Sequence, residues 1–240
     1  MSGHSKWSTI KRKKETTDQA RATVFSKLSR VISIAITDGG GVADPAGNIK
    51  LKIAIERARS ANMPKSNIDR AIEEAKGKKE NLKEVVYEGF GPFGASLIII
   101  VTTDNPNRAI STVKTTLEKS GGKLGSEHSA MYQFTKCAVV EFEKKVNEND
   151  VYAFADRAGG IDIESNEDSY YVYIPFEKMG YVSDYLNGLE YKSVDVFYLP
   201  KVHISLNSGE SDKIDTIVEK LEELPEVDSV YTNHMLVYDK

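Results

Sequence analysis

Apolar residues between positions 20 and 77 recur at helical spacing, whereas beyond residue 84 they gather into short runs broken by glycine, proline and further helical stretches. Val24, Phe25, Leu28, Val31, Ile32, Ala35 and Ile36 form one stripe from Ala20 to Ile36, which predicts an amphipathic helix. Arg21, Lys27 and Arg30 lie off that stripe. Thr37-Asp38-Gly39-Gly40-Gly41 predicts its end, and with no strand before them the three glycines suit a helix cap better than a phosphate cradle. Asp44-Pro45 offers a start for a second helix, extending from Asn48 to Ala61 with Leu51, Ala54, Ile55, Ala58 and Ala61 on one face. A third starts at Pro64, a favoured first-turn residue, and carries Ile68, Ala71, Ile72 and Ala75 to Gly77. With Lys50, Lys52, Arg57 and Arg59 elsewhere around the second cylinder, the expectation is a small helical bundle with a basic outer surface.

Lys76 to Asn81 lacks apolar residues, which places a domain boundary near residue 80. The period then changes. Gly89-Phe90-Gly91-Pro92-Phe93-Gly94 satisfies the dinucleotide fingerprint G-x-G-x-x-G, but Ala95 to Val101 after it reads as a strand. Without a helix N-terminus to hold the pyrophosphate the fingerprint is rejected, leaving a turn between two strands.

From there, β and α signals alternate. The pattern predicts strands at Leu97–Thr103 and Ala130–Phe134 around a helix opened by Asn105-Pro106 and closed by Gly121-Gly122. Residues 138 to 199 spell β-α-β-β-α-β, with helices at Val151–Ala158 and after Pro175, the order of a ferredoxin-like split βαβ. Val202–Leu206, a helix through Ile214 to Leu224, and a strand at Val230 supply a last half-unit. Pairing the two flanking halves avoids an uncovered sheet edge. The predicted class is therefore α+β: an N-terminal helical bundle in residues 1–80, a discontinuous ferredoxin-like α/β domain in 81–135 plus 201–240, and an acidic ferredoxin-like domain, 136–200, inserted in it.

Charge sharpens this picture. The formal total over 240 residues is -4, yet residues 1 to 76 hold 15 Lys and Arg against 8 Asp and Glu, net +7. Residues 77 to 240 hold 17 against 28, net -11, and residues 141 to 190 carry twelve acids and four bases. Such a dipole steers one end toward a polyanion and turns the other away from it. The acidic insert is unsuited to phosphate and fits a basic protein surface instead. No run reaches the roughly 18 apolar residues of a membrane span, and the polar start lacks a signal-peptide core, so a cytoplasmic protein without membrane association is expected. One cysteine, Cys137 in an apolar run, excludes an internal disulfide framework.

Candidate chemistry concentrates at the start of the chain. Lys6, Lys11, Arg12, Lys13 and Lys14 precede the first acidic residue, Glu15, and enclose the one tryptophan, Trp7. Cations neutralise phosphates and release counterions, and an indole stacks on bases, so this arm points to nucleic acid. His4, His128, His203 and His234 show no zinc-site spacing, and neither a metal nor a cofactor is expected. Ser126, Glu127, His128 and Ser129 could be drawn as a hydrolytic loop within residues 122–129. Neighbours in one loop seldom converge as a nucleophile, base and orienting acid must.

Gly3-His4-Ser5-Lys6-Trp7 with its basic run, Phe25-Ser26-Lys27-Leu28, Ala61-Asn62-Met63-Pro64-Lys65 with Asn67-Ile68, Tyr87 to Pro92, and Thr103-Asp104-Asn105 with Asn107-Arg108 resemble the YebC/PmpR family. Ser66 stands where that family usually has an acid and His128 where it has a glycine. The resemblance implies three domains, the third inserted in the second, and a non-enzymatic regulator that takes no small-molecule substrate. Family members are described as DNA-binding transcriptional regulators and as ribosome-associated factors that help translation past stalling sequences. The resemblance places nucleic-acid contacts at Lys6, Trp7, Lys11, Arg12, Lys13 and Lys14, with Met63, Pro64 and Lys65 at an interhelical turn as a second candidate, although helix initiation accounts better for Met63-Pro64; Arg21, Lys27 and Arg30 of the first helix are further candidates. The expected partner is structured RNA on the ribosome or DNA, with basic ribosomal proteins facing the acidic domains. Specific DNA readers place a helix in the major groove. The sequence shows no evident helix-turn-helix with the short turn required, which favours RNA.

Overall fold

The computed structural model describes residues 18–77 and 82–237, with side chains from residue 22. They form two compact units, the first holding residues 18–77 together with 136–197 and the second residues 82–135 together with 198–237. The class is α+β.

In the first unit, α1 (Asp18–Asp38), α2 (Ile49–Ser60) and α3 (Lys65–Gly77) pack around Leu28, Ile32, Leu51, Ala58, Met63 and Ile68. The glycine triplet caps α1. Gly41 N donates to Ile36 O and Gly40 N to Thr37 O, with Gly40 at φ 71, the paired bonds of a left-handed helix end. Asp44-Pro45 does not start the second helix; Asn48 does. Its Oδ1 accepts from Leu51 N at 3.1 Å, and its Nδ2 donates to Ala35 O and Val42 O, so one buried amide caps α2 and ties it to the end of α1. Gly39 permits this approach, since a Cβ there would lie 2.1 Å from Asn48 Nδ2.

The rest of the first unit is a four-stranded sheet ordered β5-β6-β4-β7, formed by β4 (Phe134–Glu143), β5 (Asp162–Ser165), β6 (Ser169–Pro175) and β7 (Ser193–Pro200). That is the strand order of a ferredoxin-like sheet. α5 (Glu148–Ala158) covers it and ends at Gly159, φ 68. The helix expected after Pro175 is a 3-10 segment, Phe176–Tyr181, leading into one turn, α6 (Val182–Tyr185). Met179 and Val182 are still buried on one side, because a spacing of three suits three residues per turn.

The second unit has a four-stranded sheet, β3-β1-β2-β9, built from β1 (Lys83–Phe90), β2 (Ser96–Thr103), β3 (Lys123–Leu124) and β9 (Val227–Thr232). α4 (Pro106–Lys119) and α7 (Ser208–Glu222) bury Val113, Leu117, Ile214 and Ile217 against Leu97, Ile99 and Val101. Residues 91–95 connect β1 to β2, with Gly89 and Phe90 still paired in β1, and supply the turn between strands that the sequence required.

Two expected strands are corrected here. Ala130–Phe134 is not a return strand: Met131–Gln133 is a 3-10 turn and β4 starts only at Phe134. Val202–Leu206 does not complete the four-stranded sheet. Its strand portion, β8 (Ile204–Leu206), pairs in parallel with β10 (His234–Leu236), and β1 occupies the inner position beside β2.

Candidate nucleic-acid interface

The arm carrying Lys6, Trp7, Lys11, Arg12, Lys13 and Lys14 lies outside the described residues, as does the Arg21 side chain. Lys27 and Arg30 are half-buried on α1, and each already engages another group of the protein.

The turn from α2 to α3 decides the roles of Met63, Pro64 and Lys65. Met63 N donates to Ala58 O and Asn62 N to Arg59 O, while Asn62 takes φ 57, a left-handed helix end completed by asparagine. Met63 is 6% exposed and joins the helical core, so its side chain serves packing. The Pro64 carbonyl accepts from Asn67 N and Ile68 N, so the helix starts one residue after the proline. Lys65 is exposed at that start. The connection spans four residues, 61–64, so a short turn is present where the sequence showed none.

Part of the expected basic surface of the bundle is paired with carboxylates. Lys50 pairs with Asp38 at 2.8 Å, Arg59 with Glu56 at 2.9 Å, and Lys76 with Glu73. Arg57 reaches across to Asp195 of the insert, Nε to Oδ1 2.6 Å. The Tyr191 hydroxyl donates to Glu56 Oε2, and Ser60 exchanges hydrogen bonds with the backbone of Val194. Burial, then the Glu56 carboxylate, pushes the Tyr191 hydroxyl up to about 12. Ile53 packs on the insert's core, and Gly180 leaves no room for a Cβ beside Ile49. Within the first unit, the helices and the sheet are thus joined through α2.

The insert's own carboxylates show the same bias toward structure. Glu141, 1% exposed, accepts from Ser169 Oγ, Ser193 Oγ and Lys192 Nζ at 2.8 to 2.9 Å. Burial pulls the Lys192 ammonium down, but the hydrogen bond and charge of Glu141 outweigh it and leave it raised.

In the second unit, the 122–129 loop is held from beneath rather than armed for catalysis. Glu88, 6% exposed, accepts from His128 N at 2.6 Å, Ala130 N at 2.5 Å and Met131 N at 2.7 Å. Ser129 Oγ donates to Ser126 O, and the His128 ring points outward, its side chain 82% exposed beside Glu127. Nucleophile and base do not meet. His128 takes φ 64, the conformation that a glycine would adopt without steric cost. Among the described residues no group of three His, Cys, Asp or Glu could hold a metal ion, and no helix is long and apolar enough to cross a membrane.

One further polar cluster was readable only as a motif. Arg108 bridges Asp104 and Glu226, both at 2.6 Å, while Thr103 Oγ1 donates to Glu226 and Thr102 Oγ1 to Asp228. Thr103-Asp104-Asn105 and Arg108 therefore staple α4 to the ends of β2 and β9.

Comparison with known proteins extends over nearly the whole chain. Residues 5–78 match the family described as "TACO1/YebC protein N-terminal domain", and residues 82–234 match "TACO1/YebC second and third domain". A probable transcriptional regulatory protein of Borrelia duttonii is 40% identical, covering 100% of this chain and 99% of its own. One from Geobacillus sp. (strain WCH70) is 36% identical, covering 97% of each. The crystal structure of a conserved hypothetical protein from Aquifex aeolicus superposes with a TM-score of 0.81 at 32% identity, covering 92% of this chain and 93% of that one.

Proposed function

The chain belongs to the TACO1/YebC family, and from that premise we propose that it is a non-enzymatic regulator of gene expression that acts by binding nucleic acid through its N-terminal arm. The names of its relatives, probable transcriptional regulatory proteins, support a regulator. The observation that carries the role of the arm is the distribution of charge. Residues 1 to 76 are net +7, and the cations that α2 contributes to that sum are largely taken by Asp38, Glu56 and Asp195. Charge available to phosphates thus concentrates in Lys6 and Lys11 to Lys14, beside the indole of Trp7.

The polyanion we favour is structured RNA on the ribosome. The outer face of α3 sets Asp69, Glu73 and Glu74 against Lys65, Arg70 and Lys76, so it offers no net positive charge to the phosphates on either side of a major groove. The insert, locked to α2 and rich in acid, repels nucleic acid beyond the arm's reach and attracts basic ribosomal proteins. A basic arm with one aromatic suits the backbones and unpaired bases of folded RNA. The second reading is sequence-specific DNA binding. The four-residue turn between α2 and α3 favours it, because it is the turn length of a helix-turn-helix.

Purifying the protein from cells and sequencing the nucleic acid that accompanies it tests the choice. Recovery of ribosomal RNA segments supports the proposal. Recovery of a few discrete genomic DNA sites in their place overturns it in favour of the second reading.

A further inference from the structure

The rejected fingerprint, Gly89 to Gly94, leaves a feature that the arm does not account for. Phe93 sits at the tip between β1 and β2 with φ 60 and is 42% exposed. A bulky side chain at positive φ is an outlier, and glycine would take this conformation without strain. The tip is nevertheless fixed. Gly91 N donates to Ala95 O at 2.8 Å and Ala95 N to Pro92 O at 3.2 Å. Its base packs closely, for a Cβ on Gly91 would lie 3.0 Å from Ile214 Cδ1 and one on Gly89 2.9 Å from Leu117 Cδ2. The backbone thus holds an aromatic ring outward on a rigid support.

Two cations attend this hairpin from elements distant in sequence. Lys213 of α7 places its Nζ 5.4 Å from the centroid of the Phe93 ring, and Lys123 of β3 places its Nζ 5.7 Å from that of Phe90. Both separations lie within cation–π range. Residues 81–135 and 198–240 together hold 9 Lys and Arg against 14 Asp and Glu, net -5. Diffuse attraction does not bring a polyanion to this unit, so a contact here has to be local and stacking in character.

We propose that this tip is a second nucleic-acid contact, in which Phe93 stacks an unpaired base while Lys213 meets a flanking phosphate. It rests on the reading of the protein as a nucleic-acid binder and gives it a bipartite grip. The arm supplies charge-driven affinity, and the tip distinguishes single strands from duplex, because only an unpaired base offers a free face to the ring.

The test uses the full chain with two labelled probes, a single-stranded RNA of about 12 nucleotides and the corresponding duplex. Phe93→Gly suits the backbone conformation and removes the ring. It weakens single-strand binding by about 5- to 100-fold and leaves duplex binding unchanged, while Phe93→Tyr behaves as the parent. Lys213→Ala shallows the salt dependence of single-strand binding by about 0.7. Equal single-strand affinity of the parent and Phe93→Gly overturns the tip as a contact, leaves the arm untouched, and is the outcome if the tip meets a protein instead. If the parent binds neither probe at about 50 mM salt, the nucleic-acid reading itself fails.

Discussion

The Tyr191 hydroxyl donates a 3.0 Å hydrogen bond to Glu56 Oε2, joining the segment before β7 to helix α2 within the first unit. Beside it, Arg57 and Asp195 form an ion pair whose side chains are 16% and 25% exposed. Tyr191→Phe should cost about 1.5 to 3 kcal/mol of stability in chemical denaturation, the range for a hydrogen bond to a charged group. Asp195→Ala should cost more, since it leaves the Arg57 guanidinium half-buried without its carboxylate. Equal stability of both variants and the parent would mean that the insert is held by apolar packing alone.

The same contact sets an alkaline limit. The folded state holds the Tyr191 hydroxyl up to about 12 against 10.0 for the free group, so the neutral tyrosine is favoured in the fold. Its contribution is complete below pH 10 and is lost as pH rises through 12. Lys192, also raised, weakens its bond to Glu141 in the same direction as it deprotonates. Thermal melts from pH 9 to 12 should show Tm falling above pH 10, with a shallower fall in Tyr191→Phe.

Glu88 and His128 make opposite contributions to one loop. Glu88→Ala strands three backbone N–H groups and should cost about 3 kcal/mol or more, at ~1 to 3 per unsatisfied group. His128→Gly relieves a left-handed backbone and should stabilise by ~0.5 to 1 kcal/mol, net of the added chain entropy. Neither change should alter nucleic-acid affinity measured at saturating folded protein. A loss of binding in His128→Gly would give that exposed ring a functional role.

Replacing Lys11, Arg12, Lys13 and Lys14 by Ala should flatten the slope of log affinity against log salt by up to ~3 to 4 units, at about 0.7 to 0.9 per phosphate contact. An unchanged slope removes the arm from the interface. Trp7→Ala should cost roughly 1 to 3 kcal/mol of binding if the indole stacks on a base. If Tm drops instead and binding holds, the indole packs.

Periodicity and turn residues made much of the fold legible, and failed where side chains captured backbone groups. The stripe from Val24 to Ile36, the glycine cap and the reversal at residues 91–95 follow from local sequence. Ala130–Phe134 has the composition of a strand, but Glu88, forty-two residues earlier than Ala130, takes the N–H groups a sheet partner would need. Similarly, Val202–Leu206 is apolar enough for a sheet, yet β1 fills that inner place because its turn into β2 is short. The arm was legible from composition because its cations are contiguous. The Phe93 tip was not, since Lys213 joins it only through folding, as Asp195 joins Arg57.

The most direct test of the account is cosedimentation with ribosomes at about 0.15 M salt, comparing the full chain with a variant lacking residues 1–14, beside DNA binding under the same conditions. The account predicts that the full chain travels with ribosomes, that the shortened chain stays behind, and that DNA is held weakly and without sequence preference. A full chain that stays off ribosomes yet holds one promoter sequence at least ~1,000-fold better than random DNA would contradict it.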